Sequence, residues 1–250
     1  MNWLGIGAIV FACVFGGALG GMFIARILPG HHLTKEAEDS LKLAMGVIAT
    51  MGALVIGLLL ASAKTSFDTK NNEIRQISTD LILLDRQLVH YGAEAKEARD
   101  LLRRYVVFKI DATWPSEASH PVDKNGWTLL EDVQDRLRGL TPRNDAQQWL
   151  RTRALQVSGD LARTRWLLGE QSGSSIPRPF VVVLVFWLTV VFTIIGVFAP
   201  RNATVIAALF VCALSSAAAI CLILEMDQPF GGLIHLSSAP MRDALANLGS

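Results

Sequence analysis

Catalytic motifs are the first thing this sequence lacks. It contains no HExxH, no G-x-S-x-G, no P-loop and no GxGxxG. No nucleophile, metal centre or nucleotide cradle is nominated, and an enzyme is not expected. Cysteine is scarce, with three in 250 residues. Cys13, Cys212 and Cys221 all fall in apolar runs, which excludes a disulfide framework and a paired-thiol site. They read as small packing residues. Histidine offers no metal pair, because adjacent His31 and His32 cannot face one point from a regular helix, and His90, His120 and His235 are isolated. No cofactor and no metal is expected. A charge imbalance is also missing: 23 basic residues stand against 22 acidic ones, net +1. No nucleic-acid partner is expected from such a balance.

Apolar sequence is abundant. Hydrophobic residues make up 51% of the chain and mean hydropathy is +0.38, too high for an ordinary soluble domain. The apolar residues are segregated into four nearly uncharged runs, Trp3–Leu28, Leu43–Ala63, Phe180–Ala199 and Ala203–Leu224. A helix of about 20 residues crosses a hydrocarbon core of about 30 Å, so each run reads as a membrane span. The first lacks a basic leader and a small-residue cleavage site, and is expected to be a retained span. The lipid bilayer is therefore the first expected partner.

Small residues recur at helical spacing. Gly16, Gly17, Gly20 and Gly21 give two overlapping GxxxG frames in span 1, a pattern that lets helix backbones approach closely in lipid. In span 2, Gly46, Ala49, Ala53, Gly57 and Ala61 share one stripe. That stripe fits either a close helix–helix seam or the narrow wall of a pore. Alanines and serines in span 4 suggest a packed inner helix, with Asn202 as its N-cap.

No glycine or proline interrupts the exit from span 2, which passes Lys64 and Asp68 into a polar sequence with a new period. Ile74, Ile77, Leu81, Leu84, Leu88, Tyr91, Ala95, Ala98, Leu102 and Tyr105 alternate spacings of three and four. This predicts one continuous helix from Leu41 to Ile110, a membrane span that becomes a heptad helix after Lys64. A loop follows at Asp111–Gly126, then a short helix at Thr128–Leu140 and a longer one at Asp145–Glu170, with Leu150, Ala154, Val157, Leu161 and Leu168 as its seam. Trp149 and Trp166 read as anchors beside that seam. The expected fold is all-α: four transmembrane helices, with a long intracellular antiparallel helical hairpin between spans 2 and 3. Domain boundaries are expected at 1–63, 64–175, 176–227 and 228–250, the last carrying a short amphipathic helix capped by Ser238.

Four spans put both termini and the hairpin on one side. Basic residues near the membrane number seven there (Lys64, Lys70, Arg75, Arg163, Arg165, Arg178, Arg242) and four opposite (Arg26, Lys35, Lys42, Arg201). That bias favours a cytoplasmic hairpin in a bacterial inner membrane. It also brings Lys64, Asp68, Arg178, Glu225 and Asp227 to one membrane edge. They suit interfacial anchoring, or a charged inner mouth with Glu225 as its sharpest member and Lys64 as its expected partner.

The end of span 4 reads LEMDQPFGG and is followed by LIHLSSAPMRDAL. The acid–x–acid–x–Pro-Phe-Gly run, Glu225 to Gly231 with Pro229, Phe230, Gly231 and Gly232 at its close, resembles the bestrophin motif. Three blocks are similar to the bestrophin-like family of bacterial membrane proteins: MGVIATMGALVIGLLLASAKTSFD; TRWLLGEQSGSSIPRPF with VFWLTVVF; and FAPRNATVIAALFVCALSSAAAICLILEMDQPFGG. The resemblance implies a homo-oligomeric anion channel, pentameric in the bestrophins, with span 2 lining the pore and long helices forming an intracellular vestibule. The Asp-rich calcium clasp of animal bestrophins and an aromatic neck in span 2 are both missing from this sequence. The competing expectation is a non-conducting membrane scaffold or sensor whose helical hairpin binds a partner protein.

Overall fold

The computed structural model describes residues 3–29, 34–114, 128–170, 176–227, 230 and 234–248. It is all-α, with helices α1 (Trp3–Ile27), α2 (Lys35–Tyr91), α3 (Lys96–Thr113), α4 (Leu129–Gly139), α5 (Asp145–Glu170), α6 (Arg178–Phe198), α7 (Ala203–Met226) and α8 (Ala239–Asn247). No strand occurs among the described residues. Helices α1, α2, α6 and α7 are long and apolar enough to cross a membrane. The chain divides into two compact units, Met1–Phe67 with Ser174–Ile234, and Asp68–Gly173 with His235–Ser250.

In the first unit, α1 packs on α6 and α7. The α1–α6 contact is glycine-dependent. A Cβ on Gly21 would overlap the Thr193 carbonyl, and one on Gly196 would overlap the Ala18 carbonyl. Gly17 belongs to the same seam, whereas nothing lies within 4 Å of Gly16 or Gly20. Only one of the two GxxxG frames is therefore used within the chain. Backbones this close gain dispersion contacts that bulkier residues would forbid. The α1–α7 contact is aromatic, with Phe210 edge-on to Phe11 and Phe15 at 5.2 and 5.5 Å. Asn202 caps α7 as expected, its side chain accepting from the Val205 N–H. Helix α7 packs on one face only. Leu209, Ala213, Ala217, Ile220 and Ile223 are buried, but Ala207, Ala208, Ser215 and Ala218 are exposed, so one face of α7 packs and the rest is open.

The second unit is built on the distal half of α2. All ten heptad positions from Ile74 to Tyr105 are buried. The single helix expected through Ile110 is nevertheless broken. Gly92 takes φ 121°, beyond the reach of a right-handed helix, and a 3-10 turn over Ala93–Ala95 leads into α3. Only glycine enters this region without steric cost. The chain reverses there, because Arg99 on α3 reaches back to Asp85 on α2. The start of α5 lies beside the same corner: Gln147 Nε2 donates to the Tyr91 carbonyl at 2.9 Å, and Arg143 pairs with Glu94 at 3.0 Å. Helix α4 packs on α3 and α5 through Leu129, Leu130, Val133 and Leu137, all buried. Arg151 donates to the Leu137 and Arg138 carbonyls in the last turn of α4.

Two further expectations are corrected in this unit. Trp149 and Trp166 are 64% and 70% exposed, so they do not anchor the α5 seam. Ser238 does hold the N-cap position of α8 but makes no side-chain cap bond; instead Ser237 Oγ accepts from the Ala239 N–H. Helix α8 packs on α3. Trp114 Nε1 donates to the Leu236 carbonyl at 2.8 Å, and Met241, Ala244 and Leu248 are buried.

Candidate functional site: the open face of α2 and the end of α7

The membrane half of α2 presents three different surfaces. Gly52, Leu59 and Ala63 are buried, and Leu59 and Ala63 share a core cluster with Leu184 of α6. A Cβ on Gly52 would meet Leu184 Cδ1 at 4.0 Å. At about 100° per residue these positions centre on one side of the helix. Gly46, Ala49, Ala53, Gly57 and Ala61 are all exposed, and their stripe lies about 120° round from the packed side. Nothing lies within 4 Å of Gly46 or Gly57. Between the two runs a ridge of large exposed side chains, including Val47, Met51, Leu54 and Leu58. The small-residue stripe therefore makes no seam among the described residues.

Lys64 and Asp68 follow on the same helix and are both exposed. Glu225 and Asp227, at the end of α7, are buried at 4% exposure each. Glu225 Oε1 accepts from the Ile234 N–H at 3.2 Å, so this carboxylate holds the backbone that follows the span. The sequence does not announce Ile234 as a partner, because a main-chain donor carries no residue signal. Arg178 opens α6. Phe230 is half-buried in a turn. Pro229, Gly231, Gly232 and the Arg178 side chain lie outside the described residues.

At the other end of the spans, Arg201 Nη2 donates to the Met22 carbonyl at 2.9 Å. In the sequence, Arg201 reads only as a flanking charge. The contact ties Arg201, just before α7, to the α1 backbone. Among the described residues, no group of His, Cys, Asp and Glu side chains could hold a metal ion.

An all-α chain with four membrane-length helices, one of them continuing into a helical domain, defines a multi-span integral membrane protein. The bestrophin-like domain matches residues 12–241, and the chain belongs to that family. Its fold is similar to crystal structures of two single-substitution variants of a bacterial bestrophin homologue from Klebsiella pneumoniae. One matches with TM-score 0.61 and 13% identity, over 94% of this chain and 97% of the other. The second matches with TM-score 0.62 and 14% identity, over 96% and 97%. No match was found among curated proteins.

Proposed function

We propose that this protein is a homo-oligomeric anion channel whose pathway is lined by the small-residue face of α2. The observation that carries this reading is the division of α2 into a packed side, an apolar ridge and an open small-residue stripe. In an assembly, the ridge would meet lipid or a neighbouring copy. The stripe would then be left to face an axis, where glycine and alanine leave room for an ion and its water. Family membership supports the same reading, as bestrophins are anion channels. A pentamer follows if this chain assembles as they do.

In this reading α2 to α5 form a cytoplasmic antiparallel hairpin domain, and the termini share its side of a bacterial inner membrane. Lys64 and Asp68 stand at the inner end of the pathway. Glu225, which holds the Ile234 amide, and Asp227 stand at the end of α7 beside that mouth.

Purified protein in planar bilayers, with its native mass measured in parallel, tests the proposal. Anion-selective conductance from an oligomer is expected. On a cysteine-free background, Ala53→Cys should become sensitive to a thiol reagent applied from the aqueous side, and Leu58→Cys should not. Glu225→Gln should alter selectivity or its pH dependence. A non-conducting monomer would end the reading. The alternative, a scaffold or sensor, is favoured by exposed Trp149 and Trp166 on α5, which suit a partner protein. A silent oligomer that captures such a partner through these tryptophans would support it instead.

A further inference from the structure

Two polar side-chain atoms beside the Gly92 corner have no role in the channel reading. Tyr91, the last residue of α2, is 3% exposed. Its main-chain carbonyl accepts from Gln147 Nε2 at 2.9 Å. Its hydroxyl is enclosed and makes no hydrogen bond among the described residues. One turn earlier stands half-buried Gln87, whose Oε1 is likewise enclosed and without a hydrogen bond. Residues four apart share a helix face, with Cβ atoms about 5–6 Å from each other. An aromatic side chain on a helix leans back over the preceding turn, which here is the turn of Gln87. Leu84 and Leu88, on the same stretch of α2, are fully buried.

We infer that Tyr91 and Gln87 form a binding site for one enclosed water molecule, which bridges the phenol and the amide. Buried polar atoms in folded proteins pair with protein groups or with ordered water, and an unpaired one is costly. Two such atoms lie here one turn apart, within reach of a single oxygen, because two hydrogen bonds end to end span about 5.5 Å. The phenol donates to the water, and the water donates to Oε1. Two polar partners meet the minimum that retains a buried water. Other ligands fit less well. An anion accepts from the phenol but is repelled by Oε1. A metal ion would find two neutral oxygens, and no group of side chains among the described residues suits it. Water both donates and accepts, so it serves the amide in either orientation. The bridge joins the last two turns of α2, beside the Gln147–Tyr91 and Arg143–Glu94 contacts that hold the start of α5 there. It thereby helps keep α2 helical up to the break at Gly92.

The test is a crystal structure of the full chain with its waters resolved, joined to a double-mutant cycle read by thermal unfolding in detergent. Density for one water within about 2.6–3.2 Å of both Tyr91 Oη and the Gln87 amide is expected. Tyr91→Phe and Gln87→Met should each lower Tm, because each leaves the other polar group enclosed with half a bridge. The double variant should melt above either single variant, since no polar atom is then left unpaired. Losses that simply add in the double variant would overturn the assignment. So would a direct Tyr91–Gln87 hydrogen bond with no water between them, or a Tyr91→Phe protein that melts above the wild type, the mark of a hydroxyl buried dry. The wild-type crystal structure decides the matter even where a variant does not fold. Conductance is not read, so the result is independent of the channel proposal.

Discussion

Asp85 and Arg99 face each other across the corner at Gly92, joined by two hydrogen bonds of 2.8 and 3.3 Å. Asp85 is almost fully enclosed, its side chain 4% exposed, while that of Arg99 is 27% exposed. The carboxylate beside it raises the Arg99 pKa against the opposing effect of burial. The pair pins the reversal of the chain between α2 and α3. Removing one member leaves the other charge enclosed and unpaired, at a cost of about 3–5 kcal/mol for a fully buried pair. Arg99 is partly solvated, so Arg99→Ala should fall near the lower end. Replacing both members with apolar residues of similar volume should recover most of that loss. Chemical unfolding in detergent of the two single variants and the double variant checks this.

Gly92 is the second requirement of the same corner. An alanine there would sit at φ 121°, with its Cβ 3.0 Å from Glu94 Oε2. Gly92→Ala should destabilise the helical unit by about 1–3 kcal/mol. Gly139, with open space at its Cβ position, provides the contrast. Gly139→Ala should be neutral or slightly stabilising when the two Tm values are compared.

The two glycine frames of α1 should separate in the same way. Gly21→Ala must push the α6 backbone away from α1 and should cost about 1–3 kcal/mol. Gly20→Ala meets nothing within the chain and should leave monomer stability unchanged. Thermal unfolding of both variants in one detergent would reveal the difference. Equal losses would place both frames in packing contacts.

Tyr105 gives stability a dependence on alkaline pH. Its folded pKa is pushed up to about 12 from 10.0, chiefly by burial. Below pH 10 the phenol is protonated whether the chain is folded or not, and its contribution is constant. Above pH 10 the unfolded chain releases the proton first, so stability falls, by about 2–3 kcal/mol by pH 12. Lys109 acts in the opposite sense. Its folded pKa lies below 10.5, so the unfolded chain holds the extra proton, and stability rises with pH until 10.5 is passed. Unfolding measured from about pH 9 to 11.5 should show a decline that Tyr105→Phe flattens and Lys109→Gln leaves in place.

The heptad positions were legible because burial in a helical layer imposes a period, and every one of them from Ile74 to Tyr105 is enclosed. The break at Gly92 was not legible from that period. A lone glycine is tolerated inside many helices at a cost of about 1 kcal/mol, so its presence does not reveal which φ it adopts. The three–four spacing also runs on across the corner, since Tyr91 and Ala95 are buried on either side of it. Trp149 and Trp166 mislead for a related reason: size and hydropathy suggest burial, but their phase on α5 places them in the open.

What the sequence determines by itself is whatever depends on local composition and period. Four apolar runs of sufficient length dictate membrane-spanning helices, because no other backbone arrangement within such runs satisfies its own polar groups in lipid. The heptad dictates a second, helical layer beyond them. What only the tertiary structure decides is which face of each helix meets which neighbour. It assigns Gly17 and Gly21, rather than Gly16 and Gly20, to the α6 contact. It leaves the small-residue side of α2 open while Gly52 and Leu59 are buried. It gives Glu225 the Ile234 amide as a partner. These outcomes depend on the approach of segments far apart in the chain. Helical period places residues on a common face, but only the other helices determine which face is covered.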